Sequence, residues 1–225
     1  TIIRMDGLPL KFNDRADAGR QLGDRLAAMD LDKPLVFALP RGGVPVAAEV
    51  ARRLHAPLDL ILVRKIGAPG NPELALGAIV GNSHTQVVVN DNVKRLSGVN
   101  DAYLARAQAD QMVELERRKS KYLGDRARLD PSGRCAVVVD DGLATGATMK
   151  AALIALGRDG AARIVVALPV APRKALAGLA EHADDIVCLH PADEFFGVGG
   201  FYRDFHQLSD EETIDQIREN PYLHY

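Results

Sequence analysis

The pattern of apolar and polar positions along this chain switches repeatedly between two periods. Short, mainly apolar runs, the pattern of buried strands, lie at residues 35–39, 58–63, 78–80, 86–89, 137–139, 164–168 and 186–189. Several of the intervening segments place apolar residues three or four apart, which indicates amphipathic helices. Such alternation predicts an α/β fold: a doubly wound, mostly parallel sheet that is covered on both faces.

Five helices are predicted around these strands. The first has Asn13 and Asp14 as candidate N-caps and an apolar stripe formed by Ala18, Leu22, Leu26 and Met29. The others lie at residues 44–54, 101–122, 149–157 and 173–181. Residues 64–77 contain three glycines and two prolines and are interpreted as a loop. Because the alternation stops near residue 192, we expect a core at residues 1–192 and a distinct C-terminal segment at residues 193–225.

The composition excludes some classes of protein. With 47% hydrophobic and 26% charged residues, the 225-residue chain is an ordinary globular sequence that can bury a large core. A net charge of -2 gives no electrostatic basis for general nucleic-acid binding. The one basic run, residues 117–121, follows Glu114 and Glu116 on a predicted helix, so we interpret it as a solvated face.

The expected compartment is the cytoplasm. The two cysteines, Cys135 and Cys188, both lie in apolar runs, which favours buried free thiols in a reducing environment. The first residues do not have the pattern of a signal peptide, and no apolar run is long enough to span a bilayer. We therefore expect no membrane contact.

The sequence VVVDDGLATGAT, residues 137–148, carries the strongest chemical signal. A strand ends at Asp140 and Asp141, and ligands of open parallel sheets bind at such ends. The following small residues lead into a helix N-terminus, where free N–H groups favour a phosphate and Thr145 and Thr148 add hydroxyl donors. Carboxylates repel phosphate but accept hydrogen bonds from a cis-diol. The pattern therefore predicts a ribose 5-phosphate ligand.

This stretch resembles the phosphoribosyl pyrophosphate (PRPP) motif of type I phosphoribosyltransferases. The resemblance implies that Asp140 and Asp141 hold the ribose 2- and 3-hydroxyls, either directly or through Mg²⁺. It also implies a 5-phosphate loop formed by Ala144, Thr145, Gly146, Ala147 and Thr148. A plain strand-to-helix turn with two solvated aspartates is the alternative.

The same resemblance implies a pyrophosphate loop after the first strand of the core. Arg41, Gly42 and Gly43 follow Pro40 at that place, and this loop often contains a cis peptide in the family. A simple strand-to-helix turn is again the alternative.

A mobile loop that closes over the reaction is the next implied part, and we assign it to residues 64–77. The segment from Arg64 to Gly67 resembles the corresponding part of adenine phosphoribosyltransferases. Arg64 and Lys65 are the candidate catalytic cations, with Lys65 also at the pyrophosphate, and Glu73 is the candidate general base. An ordinary exposed loop is equally compatible with these residues.

The C-terminal segment is the candidate for a hood over the acceptor. It contains EFFGVGGFYRDF, in which Phe195, Phe196 and Tyr202 could stack on a flat base. Packing of these rings onto the body, or a dimer contact, is the alternative for most of them. In 6-oxopurine phosphoribosyltransferases an aspartate follows the second acidic residue by three positions; here Ala144 stands there, which disfavours hypoxanthine and guanine.

Together these features predict a Mg²⁺-dependent phosphoribosyltransferase that transfers the 5-phosphoribosyl group of PRPP to a nitrogen nucleophile, most simply a nucleobase, and releases pyrophosphate. The expected partners are PRPP and a small nitrogen-containing acceptor, with neither nucleic acid nor membrane, and a homodimer is the default assembly. A PRPP-sensing regulator without catalysis and a hydrolase of phosphoribosyl compounds remain alternatives, since fold alone does not determine activity.

Overall fold

The computed structural model describes residues 2–3, 11–81, 84–124 and 126–222, with the backbone alone at residues 2, 3, 72 and 73. Its strands are β1 (Ile2–Ile3), β2 (Pro34–Ala38), β3 (Leu58–Leu60), β4 (Leu62–Ala68), β5 (Asn71–Gly81), β6 (Thr85–Val89), β7 (Cys135–Val139), β8 (Arg163–Pro172) and β9 (Asp185–Ala192). Its helices are α1 (Arg15–Ala27), α2 (Gly43–Leu54), α3 (Asp91–Leu96), α4 (Asp101–Leu123), α5 (Ala147–Arg158), α6 (Arg173–Ala177) and α7 (Asp210–Arg218), with a 3₁₀ turn at Val198–Phe201.

Six strands form one parallel sheet in the order β1-β9-β8-β7-β2-β3. Successive residues of a strand point to opposite faces, and the two faces belong to different clusters of buried residues. Val137 and Val139 pack on the side of α1 and α2, whereas Val138 packs on the side of α5. The predicted α/β fold, with a parallel sheet covered on both faces, is therefore confirmed.

A second, smaller sheet corrects the sequence prediction for residues 64–77. These residues are not a loop: most belong to β4 and β5, which pair antiparallel and are joined at Pro69 and Gly70. The third strand, β6, pairs with β5. Glycine and proline content indicated a loop, but main-chain pairing with a neighbouring strand overrides local propensity.

Helix starts follow the capping rules closely. Asp14 accepts the N–H of Asp17 at the start of α1, and Asn100 does the same for Tyr103 in α4. The helix predicted at residues 173–181 is shorter, because α6 ends before Gly178, a residue type that is unfavourable inside helices.

The predicted solvated face of α4 has the expected ion pairs. Arg117 and Arg118 contact Glu114 at 2.7 and 2.9 Å, and the side chain of Lys119 lies 3.7 Å from Glu116.

Both cysteines are buried and free, as predicted. Within the described part of the chain, every helix is too short or too polar to cross a bilayer.

The C-terminal segment folds back over the carboxyl edge of the parallel sheet. It begins where β9 ends, at Ala192, and Tyr202 forms a bridge with Phe12. Helix α7 opens with a capping box between Ser209 and Glu212 and packs on α2 and α4. Whether this segment is a unit distinct from residues 1–192 stays a prediction.

Candidate functional site

The two loops singled out in the sequence lie side by side. Strands β2 and β7 are neighbours, with Ala38 opposite Val139, so the loops that follow them leave the same edge of the sheet. A hydrogen bond of 3.0 Å from Leu39 N to Val139 O continues the pairing beyond the strands. The loop after β2 leads into α2 and the loop after β7 leads into α5. Neither helix N-terminus is capped by a side chain.

Two glycines allow these loops to touch. A Cβ atom at Gly42 would overlap the carboxylate of Asp141, and one at Gly43 would lie 2.7 Å from Val139 O and 3.0 Å from the Cα of Asp140. The Pro40–Arg41 peptide is cis, as the family resemblance implied. The glycines of this loop therefore serve close approach: the main chain after β2 lies directly on the two aspartates.

The two aspartates are largely withdrawn from solvent. Asp140 Oδ1 accepts the N–H of Asp141 at 2.9 Å. Burial, and then the neighbouring carboxylate of Asp141, raise the pKa of Asp140 well above its ordinary value. Burial also raises the pKa of Asp141, although Arg15 acts in the opposite direction. A ligand that carries positive charge or donates hydrogen bonds would compensate the cost of removing these two carboxylates from water.

Arg15, which lies outside all of the sequence motifs, neutralises Asp141. Its Nε donates to Asp141 Oδ2 at 2.8 Å and its Nη1 donates to the carbonyl oxygen of His206 at 3.0 Å. The guanidinium carbon lies 3.9 Å from the centre of the Phe205 ring. Arg15 precedes Ala18 by three positions and Leu22 by seven, so it belongs to the apolar stripe of α1. An arginine on a buried stripe was the available signal.

Tyr202 contacts the site through its hydroxyl rather than through an exposed ring face. The hydroxyl donates to Asp141 O at 2.6 Å, and the ring is stacked with Phe205 at 5.0 Å between centroids. Burial, followed by the charge of Asp141, raises the pKa of Tyr202, so the hydroxyl remains a donor. Tyr202 thus joins the C-terminal segment to the aspartate pair.

The other two predicted hood aromatics differ in exposure. Phe195 is half-buried and stacks on Phe201 at 5.8 Å. The neighbouring Phe196 is 98% exposed. Just beyond it, Val198 is packed so closely that a Cβ at Gly142 would lie 2.5 Å from it. Phe196 is therefore a free ring on a segment that is anchored to the loop after β7.

The predicted 5-phosphate loop ends at the start of α5. Gly146, with φ +80°, is the N-cap, and Ala144 and Thr145 are exposed. A depression of about 490 Å³ lies beside the loop and is lined by Ala144, Thr145, Gly146, Ala147, Lys150 and Lys174, among others. An uncapped helix N-terminus with small residues before it suits an anion.

Arg64 and Lys65 do not act from the same side. They are consecutive in β4, so their side chains point to opposite faces of the small sheet. Arg64 Nε donates to Gln111 Oε1 of α4 at 3.0 Å. Burial lowers the pKa of Arg64, and the positive charge of Arg118 lowers it further. Lys65 lines a cavity of about 410 Å³ that reaches Ala147 and Lys150 of α5. The side chain of Glu73 lies outside the described residues.

Arg41 of the predicted pyrophosphate loop is paired with the C-terminal segment. Its Nη1 lies 3.6 Å from Asp210 Oδ1, and Asp210 also accepts a hydrogen bond from Lys121 at 2.7 Å and one from the Tyr122 hydroxyl. The Lys121 ammonium, followed by the Tyr122 hydroxyl, lowers the pKa of Asp210 to about 2. Asp210 is thus an ionised partner that holds Arg41 beside the site.

The carboxylates at this edge of the sheet are few for a magnesium ion held by protein alone. The residues that the structure describes contain no group of three or more His, Cys, Asp or Glu side chains that could hold a metal. Mg²⁺ commonly takes only one or two carboxylates and completes its shell with water and substrate phosphates. Asp140 and Asp141 therefore fit an ion that arrives with a phosphorylated ligand.

Comparison with known proteins gives one consistent assignment. The family profile of the phosphoribosyl transferase domain matches residues 16–206. A Mycobacterium tuberculosis protein, provisionally named as a phosphoribosyl transferase, is 47% identical over 203 residues; the match covers 90% of this chain and 45% of that protein. The chain therefore spans less than half the length of this curated relative.

Solved structures agree with the fold. A Thermus thermophilus protein superimposes with a TM-score of 0.83 at 43% identity, covering 93% of this chain and 99% of the other. An Aquifex aeolicus protein has a TM-score of 0.51 at 11% identity, covering 85% and 87% of the two chains, and is similar in fold alone.

The contact between the loops can be tested with Gly42→Ala. Gly42 has φ -61° and ψ -32°, values that alanine adopts freely, so the added methyl group causes no backbone strain and its cost in the folded state is the overlap with Asp141. Because Arg15 fixes that carboxylate, we expect a loss of about 1–3 kcal/mol in the free energy of unfolding, measured by urea denaturation. The control is Gly200→Ala, where the added methyl group meets open space. Equal stability of the two variants would contradict this packing.

Proposed function

Because this chain belongs to the phosphoribosyl transferase domain family, we propose that it transfers the 5-phosphoribosyl group of PRPP to a nitrogen nucleophile and releases pyrophosphate. The observation that carries the proposal is the direct contact between the loop after β2 and the loop after β7. The glycine loop after β2 lies on the aspartate pair after β7, and both loops enter helices whose N-termini are free of side-chain caps.

This arrangement suits a ligand that has an anion at each end and hydroxyls between them. We assign the 5-phosphate to residues 144–148, including Thr145 and Thr148, at the start of α5. The pyrophosphate is assigned to the main chain of Gly42 and Gly43 with the charge of Arg41, and Lys65 stays the second candidate. Asp140 and Asp141 would then accept hydrogen bonds from the ribose hydroxyls.

The reaction needs positioning more than covalent chemistry. The bond from the ribose anomeric carbon to pyrophosphate breaks, pyrophosphate leaves with the electron pair, and a bond to nitrogen forms. The proton of the nucleophile passes to solvent or to a base, for which Glu73 stays the candidate. Positive charge develops on the ribose, as in other glycosyl transfers. The loops hold the reacting groups in line and limit the access of water.

Magnesium would accompany the substrate. When bound, Mg²⁺ would neutralise charge on the pyrophosphate leaving group. Asp140 and Asp141 are the residues of this chain that would hold it, directly or through water.

The acceptor is assigned to the side of the C-terminal segment. Phe196 offers a free ring, and its segment is anchored beside Gly142 through Val198. A flat nitrogen heterocycle would stack on such a ring. Ala144 provides no carboxylate for a purine, which argues against 6-oxopurines. The homodimer stays a prediction.

The substrate site is tested by calorimetric titration with PRPP, with and without Mg²⁺. We expect Mg²⁺-assisted binding by the wild type and a loss of at least about 100-fold in affinity for the double variant D140N/D141N, since charge-assisted hydrogen bonds are each worth about 1.5–3 kcal/mol. The control is D30N/D32N, which removes two exposed carboxylates near the other end of β2. Failure of the wild type to bind PRPP would overturn the proposal.

A pyrophosphate-release assay on the wild type, with and without added bases, distinguishes the alternative functions. Pyrophosphate release that requires an added base supports transfer, whereas release without any base indicates hydrolysis. Binding without release under all base conditions indicates a sensor.

The acceptor assignment predicts a selective effect of Phe196→Ala. Loss of a stacking ring worth about 0.5–1.5 kcal/mol should raise the KM for the acceptor roughly three- to tenfold and leave the Kd for PRPP unchanged. Steady-state kinetics with the base found active provides the KM, and calorimetry provides the Kd. Leu96→Ala, which removes another exposed apolar side chain on α3, should change neither. An unchanged acceptor KM in Phe196→Ala would exclude this ring from the acceptor site.

A further inference from the structure

Arg15 is an unusual member of the apolar stripe of α1. Its side chain is only 9% exposed, and a buried guanidinium is costly unless charge and hydrogen bonds compensate it. The compensation comes from far along the chain: Asp141 is 126 positions away and His206 is 191 positions away. The ion pair with Asp141 therefore compensates the buried charge of Arg15 and connects α1 to the aspartate pair.

The contact restricts the Asp141 carboxylate from two sides. Arg15 Nε bonds Oδ2 at 2.8 Å, and the main chain at Gly42 lies against the same carboxylate so closely that no side chain fits between them. Rotation of the carboxylate would break the ion pair or move the loop after β2. Arg15 thus determines how Asp141 meets that loop.

The C-terminal segment keeps Arg15 itself in place. The ring of Phe205 covers the guanidinium at 3.9 Å, and His206 O accepts from Nη1 at 3.0 Å. The Tyr202 hydroxyl, only a few residues earlier, bonds the main-chain oxygen of Asp141 at 2.6 Å. Asp141 is therefore held at its side chain and its backbone before any ligand arrives, which lowers the entropic cost of ordering it on binding.

We propose that Arg15 is a positioning residue for PRPP: it fixes the Asp141 carboxylate in the orientation that the ribose of the substrate requires. Arg15 acts through Asp141, the carboxylate to which its guanidinium donates. This inference rests on the proposed function, because it names a residue that prepares the same site.

The test measures PRPP affinity, with Mg²⁺ present, for Arg15→Met, Arg15→Lys, Asp141→Asn and the double variant Arg15→Met/Asp141→Asn. We expect Arg15→Met to weaken PRPP binding at least about tenfold, because Asp141 loses the charge-assisted hydrogen bond that orients its carboxylate. Lysine should restore only part of the affinity, since one ammonium cannot reproduce two separate guanidinium contacts. The double variant should bind no more weakly than Asp141→Asn, because residues acting through one another are not additive.

Arg20→Met is the matched control, since Arg20 lies on the same helix with a side chain that is 57% exposed and should not change the affinity. Near-ultraviolet circular dichroism at the titration temperature confirms that each variant is folded. If Arg15→Met lowers only the melting temperature and binds PRPP like the wild type, or if its effect adds fully to that of Asp141→Asn, the inference is wrong. A wild type that does not bind PRPP would instead overturn the proposed function, and this inference with it.

Discussion

The carboxylate of Asp141, packed against the main chain of Gly42 and paired with Arg15, is the contact on which the rest of the site depends. It joins four separate parts of the chain: the loop after β2, the loop after β7, the first turn of α1 and the C-terminal segment. Two adjacent buried carboxylates repel each other and lose hydration, so the fold must compensate them. The Arg15 guanidinium compensates Asp141, and the N–H of Asp141 donates to the Asp140 carboxylate.

The parallel sheet explains why this contact lies where it does. Neighbouring strands β2 and β7 end at the same edge, and each is followed by a helix that begins with a free N-terminus. Such an edge is the usual ligand-binding position in open α/β sheets. Residues of the C-terminal segment then hold two arginines at this edge: Asp210 pairs with Arg41, and His206 and Phe205 contact Arg15. Arg15 and Arg41 are thus positioned by residues outside the PRPP motif and the loop after β2.

Local patterns were sufficient for the central strands of the parallel sheet, most of the main helices and the PRPP motif, because each depends on neighbours within a few positions. The single strand predicted at residues 58–63 was wrong, since these residues divide between β3 of the parallel sheet and β4 of the small sheet. Local patterns were insufficient for residues 64–77, where pairing between β4 and β5 overrides the loop signal of glycine and proline. They also grouped Arg64 with Lys65, although consecutive strand residues face opposite ways. Arg15 was missed for a different reason, since its partner lies 126 positions away and only its place on the apolar stripe indicated burial.

Amide hydrogen exchange, measured with and without PRPP and Mg²⁺, shows whether PRPP binds where the loops after β2 and β7 meet. Exchange reports local opening residue by residue, so it locates the ligand as well as detecting it. We expect exchange to slow at residues 41–43 and 142–148 together, because one ligand contacts both loops. Unchanged exchange in both loops, or slowing confined to another part of the chain, would rule out PRPP binding at this place.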